Sequence, residues 1–257
     1  MSKIKTPEEI EILREGGRRL AAVVRKIEDA VAPGVHPREL DVLAHRLITE
    51  GGDVPAFLNY KPAGAKHPYP ATLCVSVNDE AVHGVPEEHT EVIKEGDIVS
   101  LDTGLTHKGL ITDMCVTISV GALDERGTRL IAEAEKARDA GIAAARGGAH
   151  LGDIGEAIES SLKGTEFSVV PDLGGHGVGH SVHEAPHIFH FGRKGTGAEL
   201  IPGMVITIEP TVSEGGTEIV LADDGYTYRT KDGSRTAQFE HTILITSGAP
   251  EILTEGV

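Results

Sequence analysis

Two stretches of this chain carry the same motifs in the same order, and that duplication constrains the fold more than any other feature. Gly34-Val35-His36-Pro37-Arg38-Glu39-Leu40 parallels Gly148-Ala149-His150-Leu151-Gly152-Asp153-Ile154. His83-Gly84-Val85-Pro86 parallels His183-Glu184-Ala185-Pro186, and Gly96-Asp97-Ile98-Val99-Ser100-Leu101-Asp102 parallels Gly203-Met204-Val205-Ile206-Thr207-Ile208-Glu209. Thr112-Asp113-Met114-Cys115-Val116-Thr117-Ile118 echoes Phe239-Glu240-His241-Thr242-Ile243-Leu244-Ile245. Any one match is weak, but four in sequence are not chance. The period drifts because the second half holds extra residues, including a predicted hairpin at Ala222-Asp223-Asp224-Gly225. A pseudo-twofold axis between such halves brings one His and two carboxylates from each to a common centre.

The local patterns agree with a doubled plan. Thr6-Pro7-Glu8-Glu9 is a capping box, and Ile10, Leu13, Leu20, Val24, Ile27 and Val31 recur at helical spacing, which predicts a helix over 7–31. A second helix is predicted over 37–50, ended by Gly51-Gly52. From 71 the chain turns to short apolar runs between Gly, Asn and Pro (LCVSV, DIVSLDTG, TDMCVTISV), which read as strands. Helices return over 124–147 and 151–163, and strands from 203. The expectation is an α/β chain forming a single catalytic domain over 1–257, built from related halves at about 7–120 and 121–250.

Composition narrows the function. The net charge of −16 argues against DNA and against anionic membranes, whose phosphates would repel the chain. It suits a binder of cations or amino-terminal groups. Cys74 and Cys115 are too few for a disulfide framework, no run approaches 18 apolar residues, and the opening MSKIKTPEEIEIL has no apolar signal core. A cytoplasmic protein with reduced thiols is expected.

Asp102 ends an apolar strand that a central sheet buries, where an ionised carboxylate is costly unless paired or bound to a cation. Asp113 follows across a turn near His107-Lys108-Gly109, so a tight hairpin places the two carboxylates roughly opposite each other. Glu209 and Glu240 recreate the pair in the second half. His176, flanked by glycines in Gly174-Gly175-His176-Gly177, is an accessible imidazole. His180, His187 and His190 are expected at the surface or behind the ligands. Four carboxylates and one imidazole suit two divalent ions with oxygen-rich coordination, sharing a hydroxide and polarising a carbonyl. Neither a nucleophile elbow nor a phosphate-binding loop competes, and GGHGVGH lacks the strand-to-helix setting of a dinucleotide site.

From TPEEIEILREGGR to FEHTILIT the chain resembles the type I methionine aminopeptidase family. NDEAVHGVP, SLDTGLTHKGLITDMCVT, GGHGVGHSVHEAP, ITIEPTV and TAQFEHTILIT carry the resemblance in order and spacing. It implies the pseudo-twofold pita-bread fold around a curved antiparallel sheet, and hydrolytic removal of the initiator methionine ahead of a small second residue. The implied ligands of two divalent ions (Co, Mn, Fe, Zn or Ni) are Asp102, Asp113, His176, Glu209 and Glu240. Asp113 and Glu240 would bridge or chelate, His176 and Glu209 hold one ion, and Asp102 the other. His83 and His183 would meet the substrate, His183 at the developing oxyanion and His83 at the scissile nitrogen, with Glu209 moving the proton. Asn78 lies near a position that helps hold a monovalent cation in some relatives. The implied partners are N-termini of nascent polypeptides at the ribosome, met by a monomer. The 31 residues from Glu209 to Glu240 leave no room for the type II insertion, and the start at the first helix, without a zinc-binding extension, looks bacterial.

The methionine pocket departs from the pattern. Phe57 stands where the family has Cys, Val182 precedes His183, Trp is absent, and Tyr60, Tyr69 and Tyr226 are the available aromatic surface. The segment from Lys61 to Pro68 is a few residues longer than usual. A proline-directed peptidase on the same fold and a metal-free binding module are the alternatives. The first usually carries an additional N-terminal domain, and the second would have lost ligands that are all present here.

Overall fold

The computed structural model describes residues 4–256. Helices α1 (Pro7–Glu28) and α2 (Pro37–Glu50) precede strands β1 (Val54–Pro55), β2 (Leu73–Val77), β3 (Glu80–Val82), β4 (Ile98–His107) and β5 (Leu110–Ser119). Helices α3 (Glu125–Ala144) and α4 (Leu151–Ser161) follow, then β6 (Ser168–Val169), β7 (Gly174–Gly177), β8 (Glu184–Phe189), β9 (Val205–Ile208) and β10 (Thr211–Ser213). The chain closes with β11 (Ile219–Leu221), β12 (Tyr228–Thr230), β13 (Thr236–Gln238), β14 (Glu240–Leu244) and β15 (Glu251–Ile252).

The main sheet is antiparallel in the order β1-β4-β5-β14-β9-β7-β8, with β2 on β4 and β15 on β14. In this order β4 and β5 stand beside β14 and β9, so the strands that parallel one another in sequence lie on either side of the β5–β14 junction. Two three-stranded sheets, β13-β10-β6 and β11-β12-β3, flank it. The architecture is the pita-bread fold. One apolar cluster joins Leu20, Val24 and Ile27 of α1 to Leu40 and Ile48 of α2 and to Leu73, Leu101 and Val116 of the sheet. A second joins Leu130, Ile154 and Ile158 of α3 and α4 to Ile206, Ile208 and Ile243. A buried leucine or isoleucine contributes about 1.5–3 kcal/mol, so the two clusters hold the helices to the sheet and leave its strand centres free to carry polar groups.

Capping follows the sequence. The Thr6 hydroxyl accepts the Glu9 N–H and the Glu9 carboxylate accepts the Thr6 N–H. The first helix ends at Glu28, three residues before the predicted end. Ala30 and Val31 donate to the carbonyls of Ile27 and Glu28, tightening the last turn, and Pro33 disfavours helical backbone at residue 32. α1 passes so close to the C-terminal segment that a Cβ on Gly17 would collide with the Leu253 carbonyl oxygen.

Candidate active site

Lys108 and Gly109 form a two-residue turn between β4 and β5, both with positive φ (47° and 85°), which matches the twist of the strands they join. That turn sets the register. Asp102 faces Cys115, and Asp113 faces Gly104. The two aspartates are therefore diagonal neighbours and not opposite, as the spacing had suggested, because the turn centres on Lys108-Gly109, one residue later than an equal split of 102 and 113 requires. Cys115 faces Glu240 of β14 in turn. Residues opposite one another, and residues two apart, share a face of a sheet, so Asp102, Asp113 and Glu240 project to the same side.

His176 lies on β7, and Glu209 directly follows β9. The Thr207 hydroxyl accepts the His176 N–H at 2.9 Å and donates to Glu209 Oε1 at 2.5 Å. Gln238 Nε2 donates to Glu209 Oε2 at 3.3 Å, and His176 Nε2 lies 3.3 Å from Glu209 Oε1. The Thr242 hydroxyl accepts the Asp113 N–H and donates to the Asp113 carbonyl. One ligand-capable atom each from Asp113, His176 and Glu240 lie within 4.8 Å of one another.

Burial sets the charge state. Asp102 and Glu240 are held well above the usual carboxylate range, first by loss of water and then by neighbouring carboxylates. Asp113 is pushed up to about 7 by burial, and Glu209 to about 8, with Asp113 adding repulsion. His176 is lowered to about 3 and His83 to about 4, by burial and then by His183. The imidazoles are neutral, with a lone pair to offer. Asp102 Oδ1, Asp113 Oδ1 and Glu240 Oε1 are buried without a hydrogen-bond partner. Several desolvated carboxylate oxygens without donors, facing a neutral imidazole, are the donor set of an oxygen-preferring divalent cation; the residues fit such an ion.

The cluster opens into a cavity of about 480 Å³ that also takes in His83, His183, Phe57, Tyr60, Tyr69, Cys74, Val182, Tyr226 and Tyr228. His183 sits edge-on to His176 with ring centres 4.4 Å apart, and the Tyr60 hydroxyl is 3.0 Å from its Nδ1. His83 holds a positive φ of 60° and lies 6.2 Å from the Tyr228 ring. Phe57, Tyr69, Cys74, Val182 and Tyr226 form one apolar cluster along the wall. The segment after Tyr60 lines the cavity through Pro62, Ala63, Gly64 and Ala65. The predicted hairpin at 222–225 is present, between β11 and β12.

Sequence reasoning did not find Thr207, Gln238 or Thr242, since a threonine in a strand reads as β-propensity alone. Of the three remaining histidines, His180 pairs with Glu9 at 2.8 Å and His187 is exposed opposite His176. His190 is not at the surface: it is fully buried, with both ring nitrogens unpartnered. Asn78 uses its side chain within the protein, accepting the Ile98 N–H and donating to Asp97. No helix among the described residues is long and apolar enough to cross a membrane.

A carboxylate-rich cation site on the centre of an antiparallel sheet, open to a cavity edged by two further neutral imidazoles, defines a metallohydrolase. The chain belongs to metallopeptidase family M24, whose pattern matches residues 11–247. It is 40% identical to the methionine aminopeptidase of Aquifex aeolicus, covering 96% of each chain. It is 38% identical to methionine aminopeptidase 1 of Bacillus subtilis, over 97% of this chain and 98% of that one. The crystal structure of methionine aminopeptidase from Thermotoga maritima superposes with a TM-score of 0.94 at 41% identity, covering 99% of this chain and all of that one. A prolidase from Pyrococcus furiosus shares the fold at a TM-score of 0.74 and 24% identity, with only 66% of its length covered.

Proposed function

We propose that the protein is a metal-dependent aminopeptidase that removes N-terminal methionine from peptides and nascent chains with a small second residue. One observation carries this reading. The unpartnered carboxylates occupy a cavity whose whole scaffold is alike, end to end, in the methionine aminopeptidases it resembles. Asp102, Asp113, His176, Glu209 and Glu240 would hold divalent metal, two ions per chain. Bound there, divalent metal supplies Lewis acidity and a water of lowered pKa.

The chain's own residues do the rest. The carboxylates draw in the free α-amino group of the substrate, and the negative net charge favours its approach. Phe57, Tyr60, Tyr69, Cys74, Val182 and Tyr226 give the first side chain an apolar seat. Glu209, clamped by Thr207 and Gln238, takes the proton of the attacking water and delivers it to the leaving nitrogen. His183 donates to the developing oxyanion, and His83 faces the scissile nitrogen. The rest of the peptide leaves along the adjoining groove between Asp172, His187 and Ile219, which shares His83 and His183 with the cavity.

The test is release of methionine from Met-Ala-Ser by chelated protein, with and without added Mn, Co, Fe, Zn or Ni. Metal-dependent release supports the reading. No release under any metal refutes it, and cleavage of Xaa-Pro peptides in its place assigns the site to a proline-directed peptidase.

A further inference from the structure

We infer that Tyr60 is a positioning residue for His183: its hydroxyl donates to His183 Nδ1, which turns the imidazole and leaves Nε2–H as the donor facing the reacting centre. The catalytic consequence rests on the aminopeptidase reading; the tautomer itself does not.

A neutral imidazole carries a single N–H. An imidazole and a phenol with ordinary pKa values are both largely neutral above pH 7, so the two meet as neutral groups. Two arrangements span the 3.0 Å contact. If Nδ1–H donated to the phenol oxygen, the lone pair of Nε2 would be left for a cavity already holding four carboxylates, where a developing oxyanion would find repulsion. In that arrangement no protein acceptor for the phenol proton is recorded among the described residues, whereas the His183 backbone N–H faces the phenol oxygen as a donor. Donation from the phenol satisfies both groups and presents Nε2–H. The T-shaped packing of Tyr60 on His183, ring centres 5.3 Å apart at 61°, restrains the ring plane, and the His176 ring restrains its other side.

The backbone places Tyr60 for this task. Its N–H reaches the Phe57 carbonyl at 2.9 Å, its carbonyl accepts the Tyr69 N–H at 2.8 Å, and Asn59 donates to the Tyr69 carbonyl at 2.9 Å. These bonds close the neck of the 61–68 segment, so Tyr60 stands on a clamped stem and not on the loop itself. The far end of that loop is tied to the β11–β12 hairpin, His67 Nε2 meeting the Asp224 carbonyl at 3.0 Å and the Tyr226 hydroxyl donating to the His67 carbonyl. His183 lies 123 residues away in sequence, which is why the pair has no sequence signature.

The test is Tyr60→Phe, which keeps the ring and removes only the hydroxyl, studied in zinc-loaded protein with 15N-labelled histidine. In the wild type, His183 is expected to show an unprotonated, hydrogen-bonded Nδ1 and a protonated Nε2, and Tyr60→Phe to shift the Nδ1 resonance. A protonated Nδ1 in the wild type, or His183 resonances unmoved by Tyr60→Phe, overturns the inference. In kinetics, Tyr60→Phe should lower kcat about tenfold with KM within about twofold, the scale of one orienting hydrogen bond. Tyr60→Phe should cost nothing further on top of His183→Ala. Independent, multiplying losses mean that Tyr60 does not act through His183. Failure of all methionine release would refute the proposed function while leaving the resonance result to decide this one.

Discussion

Stripping the metal should make this protein lose stability as the pH rises from 6 to 8. An acid whose pKa is higher folded than unfolded binds more protons in the native state. Its contribution is full below the unfolded value and is lost as pH climbs through the folded one. Asp113 rises from 3.8 to about 7 and Glu209 from 4.5 to about 8, so the window of loss runs from about pH 4 to about pH 8. Integrating the proton uptake between pH 6 and 8 gives about 1 kcal/mol for Asp113 and about 2 kcal/mol for Glu209. Those two groups alone lose about 3–4 kcal/mol over this window, a change of the size that moves Tm by roughly 6–16 °C in a protein of this length. The buried histidines push the other way: His83, His176, His190 and His241, lowered from 6.5 to about 3 or 4, each gain about 0.8 kcal/mol from pH 6 to 8 as the unfolded form gives up its proton. The net fall is therefore carried by Asp102 and Glu240, which burial and neighbouring carboxylates hold well above the usual carboxylate range. The assay is urea unfolding or calorimetry on chelated protein across pH 6–8.5, beside the metal-loaded protein. The loaded protein should hold or gain stability over the same range, because its ligands bind metal as carboxylates. Asp113→Asn, close in shape and never charged, should flatten the metal-free profile in part. A metal-free protein as stable at pH 8 as at pH 6 would refute the idea that burial makes these carboxylates costly.

His183→Ala should lower kcat about 10²–10³-fold, as loss of one oxyanion donor does, while metal content measured by emission spectroscopy stays as in the wild type. Asp113→Ala should lose metal outright, and equal metal loss in both variants would remove His183 from its assigned role. Gly104→Ala places a Cβ 2.8 Å from Phe57 Cε1, an overpacking cost of about 1–3 kcal/mol by urea unfolding, relieved in Gly104→Ala/Phe57→Cys. An equally unstable double variant would show that the clash lies elsewhere. Thr207→Val removes the hydroxyl that joins His176 N–H to Glu209, and should reduce kcat about tenfold while costing about 1–3 kcal/mol by urea unfolding, since the buried His176 N–H loses its acceptor. Wild-type turnover in that variant would mean Glu209 needs no clamp.

The duplicated motifs exposed the order of elements and gathered the acidic residues, because a repeat carries long-range information that local propensity does not. Asp102, Asp113, Glu209 and Glu240 could be named from it and His176 from its flanking glycines, and all five do share one cavity. What the sequence hid was register and support. The diagonal placing of Asp113 depends on which two residues make the turn, a difference of one position in a run where Lys108 and Gly109 both take positive φ. Thr207, Gln238 and Thr242 act through hydroxyl and amide groups that look like ordinary strand residues until the neighbouring strand is known. The aromatic wall was legible in kind but not in shape, since Phe57 depends on the bare backbone of Gly104 beside it. The end of α1 was misplaced for a local reason: the 3₁₀-like bonds of Ala30 and Val31 leave the apolar spacing intact while the helix itself has stopped.

The most direct test of the central claim is calorimetric titration of Mn or Co into thoroughly chelated protein, paired with anomalous scattering from a soaked crystal. The account predicts uptake of two ions per chain, with both anomalous peaks among Asp102, Asp113, His176, Glu209 and Glu240, and no uptake in Asp113→Ala. Heatless titration of folded protein, or peaks away from those five side chains, would contradict it.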